Sequence, residues 1–311
     1  MKRLLALLLI MLFVLPFGAF SEGDTVTFQK KVTVQSSAEY VDLGDVKAKS
    51  IDDLIKFLHK LPNLQKADMF ATPVYAKDIN KLVRAFPEVE FGWTMCISCN
   101  NPAHRERNVH KIRTDATAFS TFHNNQCSRH SSADFEILKY CKNMMALDIG
   151  HNAVTSLDFL RYMPKLRVLI IGRNYVKDLS PLASCPDLEY LEAFTNEIES
   201  VEPLLSCTHL MDVNIPNNKV KDPELFAEMT SLKRLWAFNC SYGNDMSKDR
   251  MPGSVKNAIR KALPSCKINW TASGTGGDWR GQSAHYKVIQ KMFNDKQVNA
   301  WSYVPFADSY Q

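Results

Sequence analysis

Long hydrophobic segments are almost absent from this 311-residue sequence. The one clear example covers residues 4–15 and directly follows two basic residues. It is shorter than the ~20 apolar residues that span a bilayer. Residues 19–21, Ala-Phe-Ser, supply the small side chains of a cleavage site. We therefore expect residues 1–21 to be a signal peptide, and the protein to be secreted or at the cell surface, with no membrane span once the peptide is removed.

Motifs of common catalytic sites are also missing. The sequence has no Gly-x-Ser-x-Gly elbow, no P-loop, no dinucleotide-binding glycine pattern and no His-Glu-x-x-His pair. Charges of one sign are not concentrated, because 38 Lys and Arg are mixed with 33 Asp and Glu and the net charge is +5. A basic surface typical of nucleic-acid binding is not predicted. We expect a protein that is not an enzyme, uses no cofactor and binds no nucleic acid.

A 22-residue period is present from residue 141 onward. Met144, Leu147, Ile149, Asn152 and Val154 match the pattern L-x-x-L-x-L-x-x-N-x-L, which recurs in four further 22-residue steps. Apolar residues two apart predict a short strand with one buried face. The Asn column predicts side-chain hydrogen bonds to the backbone of the turns. Stacked repeats bury the apolar face that a single repeat leaves exposed.

Three of the eight cysteines share one column of this repeat. Cys141, Cys185 and Cys207 stand three residues before the first anchor of their repeats, and Met163 and Met229 occupy the same column in the others. A column of Met and Cys predicts buried free thiols that act as small apolar side chains.

The repeats resemble those of a known family. LRVLIIGRNYVKDLSPLASC and LEYLEAFTNEIESVEPLLSC are similar to the 22-residue repeats of bacterial surface and secreted leucine-rich-repeat proteins of the internalin-like type. KIRTDATAFST, LPSCKINW and GGDWRG are similar to the less regular ends of secreted leucine-rich-repeat proteins of Firmicutes. The resemblance covers about residues 141–243. It implies an α/β leucine-rich-repeat solenoid, curved, with a parallel sheet on its concave face, and a protein-binding or surface-interaction role.

The segments that flank the repeats are less regular. Residues 22–140 alternate helical stripes with short strands, and predict divergent, helical N-terminal repeats. Alternating apolar residues at positions 91–97 predict a longer strand, and residues 109–113 could pair back on it as a hairpin. Residues 141–244 contain the five regular repeats. Residues 245–311 predict a C-terminal cap and tail, in which a Ser-Gly-rich link precedes a short amphipathic helix.

A polar insert at residues 96–130 interrupts the N-terminal part. Cys96, Cys99, Cys127 and His130 form two short pairs that could supply four zinc ligands. In an exported protein, two of the three cysteines could instead form a disulfide, or all three could remain reduced. These alternatives stay open. A metal- or redox-dependent module centred on this insert, with the solenoid as its scaffold, is the alternative function.

The outward-facing strand residues of the later repeats predict the binding surface. Residues that flank the buried strand anchors point away from the core, onto the concave face. Aromatic residues and Arg dominate the energetics of protein interfaces. The predicted site comprises Tyr190, Glu192, Phe194, Asp212, Asn214, Arg234, Trp236 and Phe238. We expect these side chains to be exposed and to bind a protein, or alternatively a glycan, in a monomer. Cover by the C-terminal cap is left open for Trp236 and Phe238.

Overall fold

The structure is a computed structural model. It describes residues 23–98, 109–121, 129–240, 251–272, 279–281 and 283–294. Among these residues, no helix is both long and apolar enough to cross a membrane. The predicted signal peptide lies outside the described residues.

The N-terminal part consists of a hairpin and a four-stranded sheet. The hairpin pairs β1 (Thr25–Phe28) with β2 (Val32–Gln35). In the sheet, β3 (Tyr40–Asp42), β4 (Lys66–Tyr75) and β5 (Glu90–Ser98) are parallel. The predicted hairpin partner of β5 is present as β6 (Val109–Arg113), which is antiparallel to β5. This antiparallel strand ends the first sheet, which is separate from the sheet of the regular repeats.

Two amphipathic helices connect the parallel strands of this first sheet, as the helical stripes predict. Helix α1 (Ile51–Leu58) begins at Ser50, whose side chain accepts a hydrogen bond from the backbone N–H of Asp53 at 3.0 Å. Helix α2 (Ala76–Ala85) follows β4 directly. Both helices bury one side, with Leu54 and Leu82 fully covered.

The repeats form a second sheet of seven parallel strands, paired in chain order. Its strands are β7 (Ala118–Ser120), β8 (Ala146–Asp148), β9 (Val168–Ile170), β10 (Tyr190–Glu192), β11 (Asp212–Asn214), β12 (Arg234–Trp236) and β13 (Lys267–Asn269). The middle residue of each regular strand, such as Leu191 or Val213, lies in the core. The chain is a leucine-rich-repeat solenoid. Strands β7 and β13 extend the sheet by one strand on either side of the five predicted repeats.

Short helices return the chain along the side opposite the sheet. They are α3 (Ser132–Phe135) and the 3-10 helices Glu136–Tyr140, Asp158–Tyr162, Ser180–Ser184, Glu202–Ser206 and Pro223–Glu228. The cysteine column lies where these helices end, and its thiols are buried and free, as predicted. Cys185 donates to the carbonyl of Leu160 at 3.6 Å, and Cys207 donates to that of Leu182 at 3.5 Å. Burial raises the pKa of both thiols to about 12.

An asparagine ladder joins the turns of consecutive repeats, as the Asn column predicts. Asn174 Oδ1 accepts from the backbone N–H of Val154 at 2.9 Å, and its Nδ2 donates to the carbonyls of Ile149 and Ile171 at 3.0 Å. Asn196 and Asn218 repeat this arrangement one and two steps along. Each ladder side chain therefore satisfies backbone groups of two adjacent repeats.

Removal of one ladder side chain should destabilise the solenoid. We expect Asn174→Ala to lower the free energy of unfolding by about 1–3 kcal/mol, because the buried N–H of Val154 loses its acceptor. The carbonyls of Ile149 and Ile171 each lose one of two donors and keep Asn152 and Asn196 respectively. Urea unfolding measures this loss. Asn143→Ala is the matched control, because Asn143 is exposed and should change stability by less than about 0.5 kcal/mol. Equal midpoints for the two variants would refute the structural role of the ladder.

The C-terminal part contains two helices with different positions. Helix α4 (Gly253–Ala262) packs beside the last 3-10 helix and precedes β13. Helix α5 (Ala284–Asn294) instead lies on the outer, concave face of the seven-stranded sheet, near β7 and β8. The main core extends from Val26 to Trp270. A second apolar cluster, on the opposite face of the sheet, contains Trp236, Trp279 and Ile289.

Candidate functional site: the concave face and its strap

The predicted binding residues lie side by side on the outer face of the sheet. Two rows cross strands β10, β11 and β12 in register: Tyr190, Asp212 and Arg234 in the first row, and Glu192, Asn214 and Trp236 in the second. Phe194 and Phe238 follow strands β10 and β12. The sheet therefore brings these side chains together as the repeat register predicts.

The expectation that these side chains are exposed is wrong. Tyr190, Glu192, Asp212 and Asn214 are fully buried, Phe194 and Trp236 are buried, Arg234 is largely buried and Phe238 is half-buried. The cover over Tyr190, Glu192, Asp212 and Trp236 is a segment of the same chain, residues 279–281 and 283–294, which we call the C-terminal strap. Cover of Trp236 was one of the alternatives left open by the sequence. The strap covers more residues than that alternative assumed, because it also covers Tyr190 and the two acidic residues.

Glu192 is the main polar anchor of the strap. Its carboxylate accepts hydrogen bonds from Nε1 of Trp279 and Nε of Arg280, both at 2.9 Å, and from Nη2 of Arg280. The hydroxyl of Tyr190 donates to the same carboxylate. The Arg280 guanidinium therefore forms a two-pronged ion pair with a fully buried carboxylate. Burial lowers the pKa of Arg280, but the hydrogen bonds and the charge of Glu192 act in the opposite direction and the net shift is upward.

Asp212 forms the second polar anchor. It accepts from Nε and Nη2 of Arg234 at 3.1 and 2.7 Å, and lies 2.7 Å from Nδ1 of His285 on the strap. Nη1 of Arg234 donates to the backbone carbonyl of Trp279 at 2.8 Å. Burial raises the pKa of Asp212, but the hydrogen bonds from His285 and Arg234 make the net shift downward. Burial also lowers the pKa of His285, which favours a neutral imidazole that donates to Asp212.

Aromatic side chains fill the space between the two anchors. The ring of Trp279 lies 5.2 Å from that of Trp236 and 5.7 Å from that of Tyr190. The guanidinium of Arg234 lies 4.1 Å above the Trp279 ring. Trp279 is thus held by rings, a cation and a hydrogen bond together, and is completely buried.

The other half of the concave face is apolar. Strands β8 and β9 present Ala146, Val168 and Ile170, which pack against Ile289 and Met292 of helix α5. The small and aliphatic side chains of the first two regular repeats thus contact helix α5. The polar residues of the later repeats contact the end of the strap that contains Trp279 and Arg280. The two halves of the face match the two ends of the strap.

The half formed by β8 and β9 contains one acidic residue. Asp148 on β8 is buried, and it accepts hydrogen bonds from the backbone N–H of Gly150 at 3.1 Å and the hydroxyl of Ser120 at 3.3 Å. Burial raises its pKa to about 6, and the nearby charge of Glu192 adds to the rise. Asp148 therefore changes its charge close to neutral pH, unlike an ordinary Asp.

Four strap residues of this site were missed by the sequence reasoning: Trp279, Arg280, His285 and Tyr286. They were assigned to a link and a small capping helix. A Trp-Arg pair inside a Gly-rich segment is unusual, because linkers are composed of small polar residues. That composition is the signal by which the strap could have been found.

Of the four zinc-ligand candidates in the polar insert, the structure describes the first and the last. Cys96 lies buried on β5, and burial raises the pKa of its thiol. His130 is buried with its ring 5.3 Å from that of Phe135, and its backbone N–H donates to Asn152 at 3.0 Å. Cys99 and Cys127 lie outside the described residues. Within the described part of the chain, no group of three His, Cys, Asp or Glu side chains is arranged to hold a metal ion.

Comparison with known proteins gives matches only among solved structures. No family model and no curated protein matches the chain. Internalin InlF from Listeria monocytogenes is 16% identical, with a TM-score of 0.39 over 76% of this chain and 54% of that one. This chain thus spans about half the length of that internalin. A leucine-rich-repeat protein from Leptospira interrogans is 15% identical, with a TM-score of 0.35 over 69% of this chain and 57% of that one. Internalin C2 from Listeria monocytogenes is 20% identical, with a TM-score of 0.34 over 52% of this chain and 76% of that one.

Proposed function

We propose that this protein is an exported binding protein, not an enzyme, whose concave face recognises a polypeptide segment that contains an aromatic residue next to Arg. The observation that carries this proposal is the docking of the chain's own Trp279-Arg280 pair onto Glu192. A face that places a buried carboxylate, two aromatic rings and an apolar half around one peptide segment has the composition of an interface core.

The strap acts, in this proposal, as an intramolecular occupant of the binding face. A tethered segment has an effective concentration in the millimolar range, so a partner in trans must bind more tightly than the strap does. The partner must also supply a cation to Glu192, because an unpaired buried carboxylate is strongly unfavourable. Partner choice is therefore set by this charge requirement together with the apolar half of the face.

A synthetic, labelled peptide of residues 279–294 tests the recognition directly. Wild-type protein should bind this peptide weakly, because its own strap occupies the face. The full-length double variant Trp279→Ala, Arg280→Ala should bind the peptide more tightly, because the sheet is intact and its occupant is weakened. Fluorescence anisotropy measures both affinities.

Two controls distinguish specific recognition from non-specific binding of the peptide. A peptide with Ala at the positions of Trp279 and Arg280 should not bind to the double variant. Addition of Glu192→Gln to the double variant should abolish binding of the original peptide. A folded double variant that does not bind the original peptide more tightly than wild type would exclude the concave face as a peptide-recognition site.

A further inference from the structure

The C-terminal end of the solenoid is rich in basic residues. Residues 251–272 contain Lys256, Arg260, Lys261 and Lys267 and no Asp or Glu. Elsewhere, acidic and basic residues of neighbouring repeats pair across the surface, as Lys177 and Lys221 do with Glu199. A segment of 22 residues with four cations and no acid therefore produces a local positive field.

Three of these cations are available on the surface. Arg260, Lys261 and Lys267 are exposed, and none forms an ion pair with a carboxylate in the described ranges. Helix α4 has Arg260 and Lys261 in its last turn, and Lys267 begins β13, the next element of the chain. The positive charge thus lies on the last helix and the last strand of the solenoid.

An open cleft of about 610 Å³ lies at this basic end. Its lining includes Phe238, Lys256, Arg260, Asn269, Trp270 and Thr271. The charged groups of Lys256 and Arg260 lie 5.6 and 5.7 Å from the centre of the Trp270 ring. Phe238 is the one aromatic residue of the predicted binding set that is not buried. Together with Trp270 it forms the aromatic wall of the cleft.

The polar side of the cleft consists of neutral groups that can exchange hydrogen bonds with hydroxyls. The Thr271 hydroxyl donates to Oδ1 of Asn269 at 3.0 Å and keeps its own lone pairs as acceptors. The cleft therefore combines an aromatic wall, neutral polar groups and a guanidinium. An aromatic face favours the C–H groups of a sugar ring, and a guanidinium favours a carboxylate or sulfate in a two-pronged pair.

We propose that this cleft is a second binding site, specific for an acidic polysaccharide whose sugar ring packs on Phe238 and whose carboxylate or sulfate pairs with Arg260. This site is separate from the strap and does not depend on the proposed function of the concave face. Both sites use the same solenoid, but they lie on its outer face and at its C-terminal end respectively.

The test measures binding of the full-length protein to polygalacturonate, dextran sulfate and neutral dextran by titration calorimetry at several salt concentrations. Binding to at least one of the two acidic polymers is expected, with affinity that falls as salt rises, and no binding to neutral dextran. Arg260→Glu should weaken the binding about tenfold. Lys77→Glu is the matched control, because Lys77 is an equally exposed cation on helix α2 and should leave the affinity within about twofold.

The aromatic wall is tested independently of charge. Phe238→Ala should weaken binding severalfold and leave the salt dependence unchanged, because it removes a ring contact and no charge. Equal weakening by Arg260→Glu and Lys77→Glu would overturn the proposal, because it would show general electrostatic attraction. Tighter binding to vesicles of phosphatidylcholine and phosphatidylserine than to either acidic polymer would also overturn it, in favour of a membrane surface.

Discussion

Replacement of Glu192 by Gln is expected to lower the free energy of unfolding by about 3 kcal/mol and to release the C-terminal strap. The side chain keeps its size but loses its charge, so the guanidinium of Arg280 remains largely buried without its counter-ion. Loss of one partner of a buried ion pair costs about 3–5 kcal/mol. The loss lies at the lower end of this range because the side chain of Arg280 is 26% exposed and solvent partly replaces the lost counter-ion. Urea unfolding measures the loss, and hydrogen exchange over residues 279–294 reports the release.

A matched variant in the same repeat distinguishes the buried pair from a surface pair. Glu197 pairs with Lys219 at 3.3 Å, and both side chains are more than 40% exposed. Glu197→Gln should therefore change the free energy of unfolding by less than about 1 kcal/mol. The double variant Glu192→Gln, Arg280→Gln should recover part of the lost stability, because it removes both buried charges. Similar losses for Glu192→Gln and Glu197→Gln would show that the strap is not held by this ion pair.

Replacement of Asp148 by Asn is expected to stabilise the protein at alkaline pH. The pKa of Asp148 rises from 3.8 in the unfolded chain to about 6 in the folded one. A raised carboxyl pKa contributes stability that is fully present below pH 3.8 and is lost as pH rises through about 6. Above that pH the folded protein contains a buried carboxylate, which costs about 3 kcal/mol. Asn keeps the acceptor for Gly150 and removes this cost.

The pH dependence of this gain is the decisive measurement. At about pH 8 the variant should be more stable than wild type by up to about 3 kcal/mol, and at about pH 5 the gain should fall to roughly half. Asp158→Asn is the control, because the pKa of Asp158 is shifted in the opposite direction: hydrogen bonds from Ser156 and Arg161 lower it. That control should not stabilise the protein at any pH. A gain for Asp148→Asn that does not change between the two pH values would exclude the titration of Asp148 as its cause.

The core of the repeats could be predicted from the sequence because equivalent positions contact each other. Leu169 pairs in register with Leu191, and Asn174 binds the turn of the preceding repeat. Such contacts connect residues about 22 positions apart, so the spacing of residue types along the chain carries the contact information. The burial of Cys185, the strand register and the asparagine ladder follow from this regularity.

The ends of the solenoid were less predictable for the same reason. Strands β7 and β13 lie outside the regular repeats and share only part of their pattern, so their place in the sheet was not predicted. The antiparallel pairing of β6 interrupts the sheet on the N-terminal side. Its hairpin with β5 was predicted from the alternation of apolar residues. The break between the two sheets was not predicted, because it depends on how all the strands of both sheets pair.

The sequence by itself determined the solenoid and the direction in which each strand side chain points, because both follow from a local period that repeats along the chain. Only the tertiary structure decided what lies on the concave face. Glu192 and Arg280 are 88 positions apart, and Asp212 and His285 are 73 apart, and neither pair belongs to a repeat. A periodic pattern specifies which face of the sheet a side chain occupies, but the exposure of that side chain depends on every segment that packs on the face. The strap is a single, non-repeated segment from a distant part of the chain. Its contacts with the concave face therefore follow no regular spacing along the sequence.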